Sequence, residues 1–277
     1  MSKLYLVGTP IGNLGDISPR ALEVLEKVDF IAAEDTRVSL KLLNHFGIKK
    51  PLVSYYQHNL RERGEQIIRR IAAGESCAII TDAGMPCISD PGEDLVDLCH
   101  RSGIPMEVVP GPSAVVAALA LSGLPTGRFA FEGFLSVKRA SRMAHLDQVK
   151  NDPRTLIFYE APHKLRATLA DMAEVFGGDR PISLCRELTK VHEEVVRTTL
   201  AGAMALYQDR EPKGEFVLVI GGAAAAQEEE RPTLEAAADL VIQLAGCGIS
   251  LSEAAKTVAA DTGYKKGELY RLALARQ

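Results

Sequence analysis

Three groups of ionisable side chains stand directly after short apolar runs. Glu34-Asp35-Thr36-Arg37 follows Phe30-Ile-Ala-Ala33, Glu160-Ala-Pro-His163 follows Thr155-Leu-Ile-Phe-Tyr159, and Arg186-Glu187-Leu-Thr189-Lys190 follows Pro181-Ile-Ser-Leu-Cys185. Such runs read as buried strands, and open α/β sheets take their ligands beyond the carboxyl ends of those strands. Carboxylates placed there can accept a proton from a reacting hydroxyl. Glu34, Asp35, Glu160 and Glu187 are therefore candidate bases, as is Lys190 if burial depresses its pKa. Arg37, Arg186, Lys190 and Lys213 could equally hold phosphate groups, and each of these side chains could instead belong to a structural ion pair. The sequence does not choose among them.

A fourth stretch joins two elements. The run Cys77-Ala-Ile-Ile80 leads into Thr81-Asp82-Ala83-Gly84-Met85-Pro86-Cys87-Ile88-Ser89-Asp90-Pro91-Gly92, and the apolar residues of Glu93-Asp-Leu-Val-Asp-Leu-Cys99 recur at helical spacing. Its glycines and prolines predict a rigid, irregular backbone whose amides and carbonyls can face a ligand. Asp90-Pro91 reads as a helix cap with proline at the first helical position; the alternative for the whole stretch is an ordinary strand-to-helix connection.

The elements needed to position these groups alternate. Strands are expected at residues 4–7, 30–33, 52–55, 77–80 and 105–109, with helices over 19–27, from 36 to about 46, 60–73, 93–99 and 115–122. That alternation is the pattern of a parallel sheet with helices on both faces. After the first strand the glycines fall as Gly8-Thr-Pro10-Ile-Gly12-Asn-Leu-Gly15, which meets neither GxGxxG nor the P-loop spacing. Pro110-Gly-Pro-Ser113-Ala114 is a second backbone-rich turn opening a helix. Beyond the linker candidate Gly123-Leu-Pro-Thr-Gly127, strands are expected at 129–135, 155–159, 181–185 and 215–220, with helices over 165–176 and 201–208. The domains so read are 1–122, 123–222 and a helical 232–277, joined by the low-complexity acidic linker 223–231.

The 277 residues are 47% hydrophobic and 25% charged, enough for sizeable cores, and the formal net charge is −4. An anionic polymer would have to be met by local patches. One is residues 136–146, with Lys138, Arg139, Arg142 and His145 and no acidic side chain; the alternative is a solvated loop. The other is residues 264–276, where Lys265, Lys266, Arg271 and Arg276 face one acidic residue, Glu268, in a helix-turn-helix-like tail that could instead be a packing bundle. The five cysteines lie in no CxxC pair and His163 and His192 lack spaced partners, so no metal is expected. With no signal-peptide pattern and no run of about 18 apolar residues, a cytoplasmic protein with no membrane association is expected.

Taken together, Val7-Gly-Thr-Pro-Ile-Gly-Asn-Leu14, Ala33-Glu-Asp-Thr-Arg37, residues 80–92, Pro110-Gly-Pro-Ser-Ala114, Phe131-Glu-Gly-Phe-Leu135, Tyr159-Glu-Ala-Pro-His163, Arg186-Glu-Leu-Thr-Lys190 and Lys213-Gly-Glu-Phe216 resemble the ribosomal RNA small subunit methyltransferase I family of the tetrapyrrole methylase superfamily. The resemblance runs in order from about residue 4 to 220. It implies two unequal α/β sheets with S-adenosylmethionine in the cleft between them, a helical C-terminal extension, a homodimer, and 2'-O-methylation of a cytidine in the decoding region of 16S rRNA in the small ribosomal subunit. It also implies cofactor contacts at Pro10, Asp82, Ala83, Gly84, Met85, Cys87, Ile88, Ser113, Ala114, Phe131, Tyr159, Glu160 and Leu188. With such a substrate, the basic residues singled out above, Arg37, Lys138, Arg139, Arg142, Arg186 and Lys213, are the expected substrate contacts. The superfamily's Gly-Asp-Pro motif is absent around Ala83-Gly84-Met85, so backbone contacts are expected there. A tetrapyrrole C-methyltransferase and a non-catalytic ribosome-assembly factor are the alternatives.

Overall fold

The computed structural model describes residues 2–56, 60–223 and 232–276. The polar segment at His58 and Asn59, and residues 224–231 of the expected linker, lie outside the described residues. Residues 1–222 form one compact unit and residues 223–277 a second.

In the first unit, β1 (Leu4–Val7), β2 (Phe30–Ala33), β3 (Leu52–Ser54), β4 (Cys77–Ile80) and β5 (Met106–Val109) make a parallel sheet in the order β3-β2-β4-β1-β5. Of its three inner strands, β2 and β4 are buried at every position, as the centre of a parallel sheet covered on both faces requires. Alternation sends Ile31, Ala33, Ala78 and Ile80 to α1 (Pro19–Lys27) and α2 (Thr36–His45). Phe30, Ala32, Cys77 and Ile79 face α3 (Leu60–Ala72) and α4 (Glu93–Arg101) on the other side.

The second sheet is mixed, in the order β6-β7-β10-β8-β9. It contains β6 (Phe129–Phe134), β7 (Thr155–Glu160), β8 (Pro181–Arg186), β9 (Glu194–Thr199) and β10 (Phe216–Ile220). Only the β6–β7 pair is parallel. Helices α6 (Arg139–Val149), α7 (Leu165–Phe176) and α8 (Leu200–Asp209) supply Leu146, Leu169, Met172 and Ala203 to one face. Helix α5 (Ala114–Ser122) covers the other: Val115, Ala118 and Leu119 pack on Ile157, Cys185, Val217 and Val219. Thus α5 leaves a strand of the first sheet and is buried against the second. Edge strand β9 was not foreseen, and the basic segment expected as loop or patch is largely helical in α6.

The second unit consists of α9 (Leu234–Gly246), α10 (Leu251–Thr262) and α11 (Lys266–Arg276). Thr233 and Ser250 cap the first two through their hydroxyls, and left-handed Gly263 ends the second. Its core is small-sided, with Ala237, Ala238, Ala254, Ala255 and Ala273 fully buried around Val241 and Leu269. Lys265, Lys266, Arg271 and Arg276 remain exposed. No helix among the described residues is long and apolar enough to cross a membrane.

Candidate active site

The carboxyl ends of the first sheet's strands and of β6, β7 and β8, with the amino end of β10, open on one cleft of about 540 Å³. Its first-sheet wall carries Ile11, Glu34, Asp82, Ala83, Gly84, Met85, Ile88, Ser89, Asp90, Ser113 and Ala114. Phe134, Tyr159, Glu160, Ala161, Pro162, Cys185, Leu188, Lys190, Glu215, Phe216 and Val217 form the opposite wall.

Backbone constraints shape the first wall. Thr9 and Gly84 exchange amide-to-carbonyl hydrogen bonds of 2.9 and 3.1 Å, fixing the β1 loop to the 81–92 loop. Gly8 and Gly111 approach so closely that a Cβ on Gly8 would lie 2.6 Å from Gly111 Cα and 2.7 Å from Met85 Sδ. The Gly111 N–H donates to that sulfur at 3.3 Å. Among the described residues, the non-glycine positions with positive φ are Cys87 (70°), Ser89 (64°), Glu187 (51°) and Thr189 (66°). All four belong to the two loops that face each other across the cleft, where strain of roughly 1–3 kcal/mol each is held by the surrounding structure.

Twelve of the expected side chains lie on the cleft wall: Glu34, Asp82, Ala83, Gly84, Met85, Ile88, Ser113, Ala114, Tyr159, Glu160, Leu188 and Lys190. Pro10, Asp35, Cys87, Phe131 and Glu187 are not among the residues that line it. Phe131 supports Tyr159 edge-on, with ring centroids 4.9 Å apart. Asp35 caps α2 through the Arg37 N–H and pairs with the Arg37 guanidinium, which holds its carboxyl down to about 2. Not expected were Ile11, Ser89, Asp90, Phe134, Ala161, Pro162, Cys185 and the Glu215-Phe216-Val217 edge. Phe134 and Glu215-Phe216 were within motifs already singled out, so their strand-end position was an available signal.

The acids on the wall differ in what they hold. Glu160 is nearly fully buried and accepts from the Ala161 N–H at 2.8 Å, the Lys164 ammonium at 2.8 Å and the Thr168 hydroxyl. Glu34 accepts from the Thr81 hydroxyl at 2.7 Å, and Asp82 from the Asp35 N–H at 3.3 Å. Burial, then the Glu34 charge, raises the pKa of Asp82. Asp90 is pushed up to about 6 by burial, with Thr81 opposing and Glu34 and Asp82 adding to the rise. Across from it, burial and the Asp90 charge push Tyr159 up to about 12.

Four expectations need correction. Asp90 does not cap α4, because the helix begins at Glu93 with Gly92 (φ 143°) at its cap, and Asp90 lines the cleft instead. Lys190 is not primed as a base. Its ammonium lies 2.9 Å from both Glu187 and Glu215, and although burial lowers its pKa, those hydrogen bonds outweigh burial and raise it. Arg142 is 6% exposed and spends its guanidinium on Asp171 and the carbonyls of Ser136 and Val137, so it cannot reach a phosphate. Arg186 is committed to Glu194 and the Lys213 carbonyl. Arg37, Lys138, Arg139 and Lys213 are exposed, Arg139 being paired with Asp171 and Glu174. Among the described residues no group of three or more His, Cys, Asp or Glu could hold a metal ion.

Two α/β sheets meeting at a cleft, the first parallel and the second mixed, define the class. A profile of the tetrapyrrole (corrin/porphyrin) methylases matches residues 3–203. The fold resembles uroporphyrin-III-C-methyltransferase from Thermus thermophilus, with TM-score 0.57 at 23% identity, covering 80% of this chain and 96% of that one. It also resembles diphthine synthase, with TM-score 0.61 at 17% identity, covering 79% and 89%.

Sequence similarity is narrower. The chain is 46% identical over 276 residues to "Ribosomal RNA small subunit methyltransferase I" of Synechocystis sp., covering 99% of this chain and 98% of the relative. It is 48% identical over 276 residues to the Pseudomonas aeruginosa protein of that name, covering 99% and 97%. A 222-residue match at 46% identity takes in 80% of this chain and 99% of the Thermotoga maritima protein. The chain belongs to the ribosomal RNA small subunit methyltransferase I family of the tetrapyrrole methylases, and is a methyltransferase.

Proposed function

We propose that the chain transfers a methyl group from S-adenosylmethionine to the 2'-hydroxyl of a cytidine in the decoding region of 16S rRNA. The observation that carries this reading is near-full-length similarity to relatives named for the small-subunit rRNA; the ribose and cytidine follow from the eight motifs in register.

The cleft chemistry fits the cofactor. Its walls join apolar Ile11, Met85, Leu188 and Val217 to the carboxylates of Glu34 and Asp82, and Lys190, a basic side chain on the wall, is already neutralised by two carboxylates. Such a lining favours a cationic, hydroxyl-bearing ligand over a nucleotide phosphate. When bound, S-adenosylmethionine supplies an electrophilic methyl on a sulfonium. The backbone of Asp82, Ala83, Gly84 and Met85, the Ser113–Ala114 turn, Ile88, Tyr159 and Leu188 would hold it, with Pro10, Cys87 and Phe131 bracing the wall. Holding the hydroxyl about 3 Å from the methyl supplies much of the rate.

Exposed Arg37, Lys138, Arg139 and Lys213 would meet rRNA phosphates, and Lys265, Lys266 and Arg271 in the tail could extend that footprint. Residues 1–122 and 123–222 would act as the two walls and 232–277 as a small helical domain. A homodimer is part of the reading; Val108 on edge strand β5 and Val116 on α5 are half or more exposed and would offer apolar surface to a second copy. A ribosomal substrate implies the cytoplasm.

The test is ribose-methylation mapping of 16S rRNA from cells with and without the protein, together with labelled S-adenosylmethionine offered with small subunits or with a uroporphyrinogen. Label in a decoding-region cytidine ribose is expected. Label in the macrocycle alone would reject the reading.

A further inference from the structure

We propose that Asp90 is the carboxylate that takes the proton from the substrate hydroxyl. This rests on the methyl-transfer reading above and names a residue within it. The other cleft acids are engaged: Glu160 by three donors, Glu34 by the Thr81 hydroxyl, Asp82 by the Asp35 amide, and Glu215 by the Lys190 ammonium. Glu187 is not among the residues that line the cleft and is held by Lys190 and the Glu215 N–H. Asp90 shares the Thr81 hydroxyl with Glu34 and has no cationic partner among the described residues.

Its position is set by the backbone. Left-handed Cys87 and Ser89 turn the loop after β4 toward the second sheet, until Ser89 Oγ lies 3.9 Å from where a Cβ on Gly133 of β6 would stand. The next residue, Asp90, therefore lies where the two walls meet. Thr81, Glu34 and Asp82 face it from the first sheet, and Tyr159 from β7. Burial among those acids leaves a carboxylate that is ionised at neutral pH yet more basic than an exposed one. That is the compromise general-base catalysis favours.

In the step, the 2'-oxygen forms a bond to the methyl carbon as the carbon–sulfur bond breaks, its electron pair remaining on sulfur. The 2'-proton passes to an Asp90 carboxylate oxygen and then to solvent. One positive charge leaves sulfur and one proton is released, so atoms and charge balance.

The test compares the full-length protein with Asp90→Asn, an isosteric change. Small subunits and labelled S-adenosylmethionine give turnover, calorimetry with S-adenosylhomocysteine gives binding, and carboxyl carbon-13 resonances of the ligand-free protein give titration. Expected are unchanged S-adenosylhomocysteine affinity, turnover lower by ~10²- to 10⁴-fold, and loss of one carboxyl titrating at about 6. Wild-type kcat should fall tenfold per pH unit below that value, and the variant should lack that limb. Wild-type turnover in the variant overturns the inference. So does loss of S-adenosylhomocysteine binding, which would make Asp90 a cofactor ligand. A wild-type protein that methylates no ribose rejects the functional reading itself, a result separate from either.

Discussion

Arg142 on α6 and Asp171 on α7 are buried against each other, with Nε 2.7 Å from Oδ2. The pair ties the two helices over the second sheet and divides the basic segment by role: Arg142 faces inward while Lys138 stays in solvent. Arg142→Ala should destabilise the fold by roughly 3–5 kcal/mol, toward the lower end because Arg139 still neutralises Asp171. Lys138→Ala should leave stability within about 0.5 kcal/mol and weaken rRNA binding with a reduced salt slope. Denaturant unfolding and filter binding over a salt series check both.

Gly8→Ala brings a methyl to within 2.6 Å of Gly111 Cα, a clash of backbone with backbone that rotamer changes cannot relieve. A cost of about 1–3 kcal/mol is expected. Because both loops flank the cleft, S-adenosylhomocysteine affinity should fall as well, as calorimetry would show. Gly47→Ala separates backbone strain from the clash: Gly47 has a positive φ (72°), unlike Gly8, and open space around it, so it should cost stability without touching the cleft.

Asp90 makes stability depend on pH. With its folded pKa raised from 3.8 to about 6, the carboxyl is protonated in both states below 3.8 and carries no penalty. As pH rises through 6 the folded state must hold the disfavoured carboxylate. Wild type should therefore lose stability relative to Asp90→Asn between those values, by on the order of 1–2 kcal/mol once solvent exposure is discounted. Urea midpoints from pH 4 to 8 measure the gap; a constant gap would contradict the raised pKa.

Lys190 is expected to act through its charge. Lys190→Arg should keep turnover within a few-fold, whereas Lys190→Met leaves Glu187 and Glu215 without their shared cation and should lose more. A fall of ~10²-fold or greater in the arginine variant would return Lys190 to proton transfer.

The first compact unit ends at Gly222, and a relative of nearly that length exists. A chain of residues 1–222 is expected to fold and bind S-adenosylhomocysteine with unchanged affinity. Any difference should appear in rRNA binding, which gel shifts with 16S fragments would measure.

The strand ends were legible because buried parallel strands read as uninterrupted apolar runs, as in Phe30-Ile-Ala-Ala33 and Cys77-Ala-Ile-Ile80. Strand β9 was not, since Glu194-Val-Val-Arg-Thr-Thr199 pairs on one side only and none of its residues is fully buried. Helix α6 was obscured because Arg142 occupies an inward position where an apolar residue would have marked the period. Asp90-Pro91 carried a true capping signature; the turn at Gly92 overrode it, a tertiary outcome that local spacing cannot encode. Which carboxylates are engaged depends on partners such as Thr168 or Glu215, brought together from different elements.

Helix α5 begins at Ser113–Ala114 on one wall of the cleft and packs one face, Val115, Ala118 and Leu119, on the sheet that forms the other. The walls are therefore mechanically joined: pressure on that turn is transmitted to a helix the opposing sheet already grips. A pre-stiffened cleft of this kind loses little conformational freedom on occupancy. Binding should then be governed by how well a molecule fits the existing gap, with little closure of the gap around it.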